Sequence, residues 1–281
     1  MQVLKFGGSS VKNAENISKV IEIIKKKVSI QKTIVVVSAL GGITDILLEC
    51  SRLAAAGNEM YKEKLLESEQ RHLQAVKELI PITRQSSVLS LVKTLCNEIE
   101  DICNGIYLLG EISARTKDRI VSSGELLSSR IIASAVQSSI EGSEWKDARE
   151  LIKTNSHFGS AAVDFEITNR KIDSYFRAAS TRLFILPGFI SSDANGATTT
   201  LGRGGSDYTA AIIAAAIDAN VFEICSSLLE LMSSRQSTGT LNTLHNRINH
   251  RCFWFIRRSL SLRAVVWSNL NRRTQRIGCY R

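Results

Sequence analysis

Apolar runs, amphipathic stretches and glycine turns alternate at the start of the chain. Residues 2–6 are mostly apolar, contain Lys5 and end at a Gly-Gly-Ser-Ser turn. From about Asn13 to Lys27, apolar residues recur every three or four positions, which predicts a helix with one buried face. Residues 33–38 are almost all β-branched, as in a strand covered on both faces of a parallel sheet. This order predicts a βαβ unit with ligand-binding loops at the carboxyl ends of the strands.

Helical periodicity dominates the middle of the chain. From Asp45 to about Glu141 the pattern predicts mostly long helices, and Pro81 is the one strong breaker. Short extended pieces are predicted between residues 148 and 163, and a buried strand at residues 183–186. The second half therefore continues the α/β pattern of the first.

A second glycine-rich turn, residues 202–207, leads into an apolar helix predicted from Thr209 to Ala219. Val221 then begins one more predicted strand. Both glycine turns thus lie at strand-to-helix junctions. Glycines at such junctions let backbone N–H groups approach phosphate oxygens, and the following helix start favours negative charge.

Charge and composition change abruptly after Ile224. Of the 36 basic and 27 acidic residues, ten arginines and one glutamate lie in residues 225–281, so the first 224 residues carry no net charge. The tail contains no lysine and follows no sustained period. A shifted reading frame explains both features, and a basic nucleic-acid-binding tail or an unusual natural domain are the alternatives. No nucleic-acid-binding motif frames the arginines, so we predict no nucleic-acid partner.

Neither a signal peptide nor an uncharged apolar run of eighteen residues is visible, which predicts a cytoplasmic protein without a membrane partner. The six cysteines form no CxxC pair, and no histidine lies at metal-ligand spacing from them. We therefore predict reduced, buried structural thiols and no metal site.

The first glycine turn has a cation beside it, because Lys5 lies one residue before the end of the predicted strand. Lys5 could neutralise a phosphoryl group during its transfer. Neither turn matches GxxxxGK[ST], which disfavours a P-loop nucleotide hydrolase. A sharp turn needs glycine for steric reasons alone, so the first turn by itself leaves a structural role open.

The second turn is more specific, because it packs three kinds of polar side chain among its glycines. Arg203 offers a planar fork suited to a carboxylate, and Ser206 offers a hydroxyl donor. Asp207 is favourable as an anion at a helix start, where a capping role is the alternative. Glu125 follows Gly124 in an otherwise apolar helical region, and a buried, paired glutamate is its alternative role.

Five motifs in this order resemble those of aspartate kinases. They are Lys5-Phe6-Gly7-Gly8-Ser9-Ser10, Ser38-Ala39-Leu40-Gly41-Gly42-Ile43-Thr44, Ser123-Gly124-Glu125-Leu126, Pro187-Gly188-Phe189, and Leu201-Gly202-Arg203-Gly204-Gly205-Ser206-Asp207-Tyr208-Thr209-Ala210. The resemblance covers residues 1–224 and is strongest to the kinase half of bifunctional aspartokinase–homoserine dehydrogenases.

The resemblance implies a three-layer αβα sandwich of the amino-acid kinase (carbamate kinase-like) fold, incomplete at the C-terminus. It implies phosphorylation of the L-aspartate side chain by ATP with Mg²⁺, giving 4-phospho-L-aspartate, the first step of lysine, threonine and methionine biosynthesis. The implied roles are catalysis for Lys5 and Asp207, aspartate binding for Thr44, Glu125, Arg203 and Ser206, and phosphate binding for Lys5, Gly7, Gly8 and Ser9.

The family pattern stops after Ile224. The family continues there with Trp-Thr-Asp and an Asp-Pro-Arg loop that hold the nucleotide, whereas this sequence has Cys225-Ser226-Ser227. Aspartate kinases are usually homo-oligomers that carry regulatory domains; we recognise no such domain in these 281 residues and therefore do not expect the usual assembly of this chain. We therefore expect an incomplete catalytic domain at residues 1–224, a poorly ordered tail at 225–281 and impaired turnover. The alternatives are an inactive truncated fragment and another amino-acid kinase.

Overall fold

The computed structural model describes residues 1–226 and the strand 263–268. Within this part of the chain the strands are β1 Gln2–Phe6, β2 Thr33–Val37, β3 Ser143–Trp145, β4 Leu183–Pro187, β5 Ile190–Ser192, β6 Thr198–Thr200, β7 Val221–Ser226 and β8 Arg263–Ser268. The helices are α1 Ala14–Val28, α2 Ile43–Ala55, α3 Tyr61–Leu79, α4 Ile82–Leu109, α5 Ala114–Gln137, α6 Ala148–Leu151, α7 Phe165–Ala178 and α8 Gly205–Ala216.

Six strands form one parallel sheet in the order β3-β4-β2-β1-β7-β8. Strand β1 lies between β2 and β7, and its register places Lys5 opposite Val36 and Ile224. Strands β5 and β6 form a separate antiparallel hairpin. Because parallel strands end at the same edge, the loops after β1, β2 and β4 meet there.

Helices cover both faces of the sheet, which gives three layers. On one face, alternate strand residues such as Leu4, Val35 and Ile185 form one hydrophobic core with residues of helices α1 to α5. On the other face, Ile34 and Phe184 pack against α7 and α8. The β-branched residues of β2 are buried on both sides for this reason. The predicted α/β class and αβα layering are confirmed.

Several elements of the structure were not expected from the sequence. The pattern did not predict β3, α6, α7 or the β5–β6 hairpin. Short extended pieces were expected between residues 148 and 163. This segment begins with α6, and Lys153 and Thr154 then form isolated β-bridges. Short strands carry too few residues for a period of two to be recognised.

Helix α8 begins at Gly205 and ends at Ala216, so the prediction of residues 209–219 was wrong at both ends. Its N-cap is Gly204, which has a left-handed backbone and no side chain. Asp207 therefore lies inside the first turn of the helix. The alternative role of Asp207 as the cap is wrong.

The tail contributes strand β8, which pairs with β7 and was not predicted. Cys252 and Cys279 lie outside the described residues, as does most of the tail. The division of the chain at residue 224 stays a prediction.

Free thiols are present at Cys50, Cys96, Cys103 and Cys225. Among the described residues, no helix combines the length and apolar character needed to cross a bilayer.

Candidate active site

A cavity of about 360 Å³ opens where the two glycine turns meet the turn after β2. It lies at the carboxyl ends of β1 and β2, beside the first turns of α2 and α8. Seven of the residues predicted from the sequence line it: Lys5, Gly8, Thr44, Glu125, Arg203, Ser206 and Asp207. The fold thus gathers residues from four separate segments of the chain around one space.

An ion pair joins the two predicted catalytic residues. Lys5 Nζ lies 2.6 Å from Asp207 Oδ1, and the two side chains are only 10% and 21% exposed. The positive end of α8 favours the carboxylate at this place. A Cβ added at Gly7 would lie 3.2 Å from Lys5 Nζ, so glycine there leaves the ammonium group its space. The pair fixes a cation at the cavity wall while shielding it from bulk water.

Glu125 is a buried carboxyl group that also lines the cavity. Its Oε2 has no hydrogen-bond partner among the described residues. Burial raises the pKa of Glu125 to about 8, although the backbone of Ala39 and the charge of Lys5 act in the opposite direction. A neutral carboxyl group therefore prevails at pH 7. A cationic ligand beside it would favour the ionised form.

The remaining predicted ligands surround the same space. Thr44 lies in the first turn of α2, and Ser206 is buried in the first turn of α8. Arg203 is exposed at the mouth, between Gly202 and Gly204, whose φ angles of 76° and 73° suit glycine. The cavity thus combines a buried acid, a cation and hydroxyl groups, which suits a ligand with both an ammonium and a carboxylate group.

Two predicted phosphate-binding residues lie outside the cavity lining. Gly7 and Ser9 belong to the adjoining turn after β1. The hydroxyl group of Ser10 donates to the carbonyl oxygen of Cys225 at 3.0 Å, which ties this turn to the end of β7. The phosphate-binding roles of Gly7 and Ser9 stay predictions.

Sequence reasoning missed several residues that shape the site. Asp45 and Phe189 line the cavity, and Phe189 has a φ of 68°, unusual for a residue with a side chain. Arg71 of α3 donates from Nη2 to the carbonyl oxygen of Gly41 at 2.7 Å and so braces the turn after β2. No local motif marks Arg71, because its partner is distant in sequence. Asp45 directly follows Thr44, so the motif itself could have indicated it.

Gly188 permits a close contact between the end of β4 and α8. A Cβ at this position would lie 2.7 Å from Ser206 Cβ and 2.8 Å from its Cα. We expect Gly188→Ala to lower the free energy of unfolding by about 1–3 kcal/mol, because the backbone carrying Ser206 must move. Urea unfolding measures this change.

Gly105→Ala is the matched control for Gly188→Ala. Gly105 lies within α4, and a Cβ there would meet nothing within 4 Å. This variant should be as stable as the wild type or more stable by up to about 1 kcal/mol. Equal stability of Gly188→Ala and the wild type would contradict the close contact.

Comparison with known proteins gives one consistent result. The model of the amino acid kinase family matches residues 1–251. The chain is 32% identical over 216 residues to bifunctional aspartokinase/homoserine dehydrogenase 1 of Arabidopsis thaliana, an alignment that covers 76% of this chain and 23% of that protein. It is 30% identical over 231 residues to lysine-sensitive aspartokinase 3 of Escherichia coli, covering 79% and 48%.

Solved structures agree with these relatives. E. coli aspartokinase III in complex with lysine and aspartate superimposes with a TM-score of 0.80 at 26% identity, covering 95% of this chain and 62% of that one. The same enzyme in complex with aspartate and ADP gives a TM-score of 0.78. The chain spans 23% and 48% of the lengths of the two curated relatives.

Proposed function

Because this chain belongs to the amino acid kinase family, we propose that its cavity is the substrate site of an aspartate kinase. Such an enzyme transfers the γ-phosphoryl group of ATP to the side-chain carboxylate of L-aspartate. The observation that carries the proposal is the Lys5–Asp207 ion pair in a cavity that Glu125 and Arg203 also line. The E. coli relative solved with aspartate and ADP supports this choice of substrates.

The cavity groups match the charges of L-aspartate. The guanidinium group of Arg203 would bind a carboxylate, and the buried acid of Glu125 would take the ammonium group. The hydroxyl groups of Thr44 and Ser206 would complete the hydrogen bonds. A ligand that lacks the ammonium group leaves Glu125 unpaired, and this would select an amino acid over a simple dicarboxylate.

Transfer would require the aspartate side chain and the γ-phosphoryl group to meet beside Lys5. A carboxylate oxygen attacks phosphorus, the bond from phosphorus to the bridging oxygen of ATP breaks, and ADP leaves with that electron pair. Lys5 would neutralise the negative charge on the phosphoryl oxygens, and Asp207 would hold Lys5 in place. Gly7, Gly8 and Ser9 would lie along the phosphates.

Magnesium would accompany the nucleotide in this proposal. Within residues 1–226, no cluster of three His, Cys, Asp or Glu residues could hold a metal ion by itself. Mg²⁺ is usually held by substrate phosphates together with one or two carboxylates, so it would enter the site with the triphosphate. Bound there, the ion would neutralise phosphate charge.

Turnover by this chain is expected to be weak. The Trp-Thr-Asp and Asp-Pro-Arg motifs that hold the nucleotide in aspartate kinases are absent from the sequence. An assay of aspartate-dependent ADP release should therefore give a rate far below that of an intact aspartate kinase. A rate close to that of an intact enzyme would contradict the expected impairment.

Two other functions can be distinguished from aspartate kinase activity by experiment. A binding module would bind L-aspartate with and without ATP and release no ADP, which calorimetry separates from weak turnover. Another amino-acid kinase would respond to glutamate or carbamate in place of aspartate. The presence of Arg203 and Glu125 in one cavity favours an amino acid over carbamate, which has no ammonium group. Cytoplasmic location, assembly state and the absence of a nucleic-acid partner stay predictions.

A further inference from the structure

A buried carboxylate outside the cavity holds three backbone segments together. Asp118 lies near the start of α5 and is 2% exposed. Its Oδ2 accepts hydrogen bonds from the backbone N–H groups of Gly159 and Thr200, each at 2.9 Å. Its Oδ1 accepts from the hydroxyl group of Thr200, also at 2.9 Å. One side chain therefore ties α5 both to the end of β6 and to the loop that contains Gly159.

The two segments held by Asp118 are those that support the Arg203 turn. Thr200 ends β6, and Gly202 follows two residues later. A Cβ at Gly202 would lie 3.2 Å from Ser160 Oγ and 3.4 Å from the carbonyl oxygen of Gly159. The Arg203 turn thus starts from a strand end held by Asp118 and packs against a loop held by the same carboxylate.

Further backbone hydrogen bonds hold the segments on both sides of the Arg203 turn. The N–H group of Ala161 donates to the carbonyl oxygen of Thr200 at 2.9 Å, which pairs the loop with the strand. The N–H group of Leu201 donates to the carbonyl oxygen of Phe189, and that of Gly205 to the carbonyl oxygen of Gly202. The exposed side chain of Arg203 therefore starts from a backbone that is held on both sides.

We propose that Asp118 is a positioning residue for the substrate carboxylate, which acts through Thr200 and the residue 159–160 loop to place Arg203. The proposal rests on the proposed function, because Arg203 is the group that would bind L-aspartate. Asp118 itself does not line the cavity. A hydrogen-bonded carboxylate is suited to this role because one side chain accepts several short bonds from separate segments.

The test uses the full chain with Asp118→Ala and Asp118→Asn. Alanine removes all three bonds. Asparagine can keep them, because its oxygen accepts both N–H bonds and its NH₂ group donates to a rotated Thr200 hydroxyl. We expect L-aspartate affinity, measured by calorimetry, to fall about tenfold in Asp118→Ala and to stay within about threefold of the wild type in Asp118→Asn.

Asp164→Ala is the control for a purely structural effect. Asp164 caps α7 by accepting from the N–H group of Ile167 at 3.0 Å, so its loss weakens the fold elsewhere. Aspartate affinity should not change in this variant. If Asp118→Ala does not fold, Thr200→Val removes the hydroxyl bond alone and should weaken binding about threefold.

A double-mutant cycle shows whether Asp118 acts through Arg203. The double variant Asp118→Ala/Arg203→Ala should bind aspartate no more weakly than Arg203→Ala alone. Losses that multiply in the double variant would overturn the proposal. Wild-type affinity in folded Asp118→Ala, or in Thr200→Val when that variant carries the test, would also overturn it.

Hydrogen exchange separates this proposal from the proposed function. The amide protons of Leu201 and Gly205 should exchange faster in Asp118→Ala than in the wild type and in Asp164→Ala, with or without aspartate. If the wild type binds no aspartate but this difference is present, the proposed function fails while the placement of the turn by Asp118 stands. Unchanged exchange at both amides would overturn the proposal whatever the chain binds.

Discussion

Replacement of Arg203 by alanine is expected to weaken L-aspartate binding about 10- to 150-fold without unfolding the chain. Loss of a charged hydrogen-bond partner costs about 1.5–3 kcal/mol, which corresponds to that range of affinity. The side chain is exposed at the cavity mouth, so its removal should change the free energy of unfolding by no more than about 0.5 kcal/mol. Calorimetric titration with L-aspartate and urea unfolding measure the two effects.

Two further variants make the Arg203 test specific. Arg203→Lys keeps the charge but loses the planar fork, so its affinity should lie between those of the wild type and Arg203→Ala. Arg170→Ala removes an exposed arginine of α7 that pairs with Glu166, and it should bind aspartate as the wild type does. Wild-type affinity in Arg203→Ala would show that the guanidinium group does not bind the substrate.

Replacement of Glu125 by glutamine is expected to stabilise the chain near neutral pH. Burial raises the pKa of Glu125 from 4.5 to about 8, so between these values the folded chain holds a proton that the unfolded chain has released. The stability associated with this carboxyl group is therefore complete below about pH 4.5 and is lost progressively as the pH rises to about 8. At pH 7 the loss is on the order of 3 kcal/mol, which glutamine avoids.

Urea unfolding at several pH values checks this expectation. The advantage of Glu125→Gln over the wild type should grow from pH 5 to pH 8 and then level off. Glu166→Gln on the surface of α7 is the control, and it should show no comparable trend. A constant difference between Glu125→Gln and the wild type across this range would mean that the carboxyl group ionises normally in the folded chain.

Aspartate binding should change in the opposite direction in Glu125→Gln. An ammonium group beside Glu125 favours the ionised carboxylate, so binding near pH 7 should release up to about one proton from the wild type. Calorimetry in two buffers with different ionisation heats measures this release. Glutamine cannot ionise, so the variant should release no proton from this position and bind more weakly.

The sequence was sufficient to predict residues that line the cavity where these residues lie within short motifs. The motifs at the end of β1 and at the start of α8 place glycines beside Lys5, Arg203 and Asp207, which line the cavity, so the position of these residues at strand-to-helix junctions could be read locally. The parallel sheet was predictable for the same reason, because the β-branched run at residues 33–37 indicates burial on both faces.

The sequence was not sufficient where a residue acts on a distant segment. Asp118 and Arg71 lie in amphipathic helices, and their partners at Thr200 and Gly41 are far along the chain. No periodicity reports such contacts, because they arise only when the layers pack together. The left-handed backbone of Phe189 could not be predicted from the sequence either. It occurs where the ring of Phe189 packs closely against Gly205, and no sequence pattern indicates that contact.

Titration of the purified chain with L-aspartate in a calorimeter tests the central claim most directly. If Lys5, Glu125 and Arg203 form one amino-acid site, the folded chain will bind one equivalent of L-aspartate saturably and will bind succinate, which lacks the ammonium group, more weakly. A folded chain that gives no binding heat with L-aspartate at several temperatures, or that binds succinate equally well, contradicts the account.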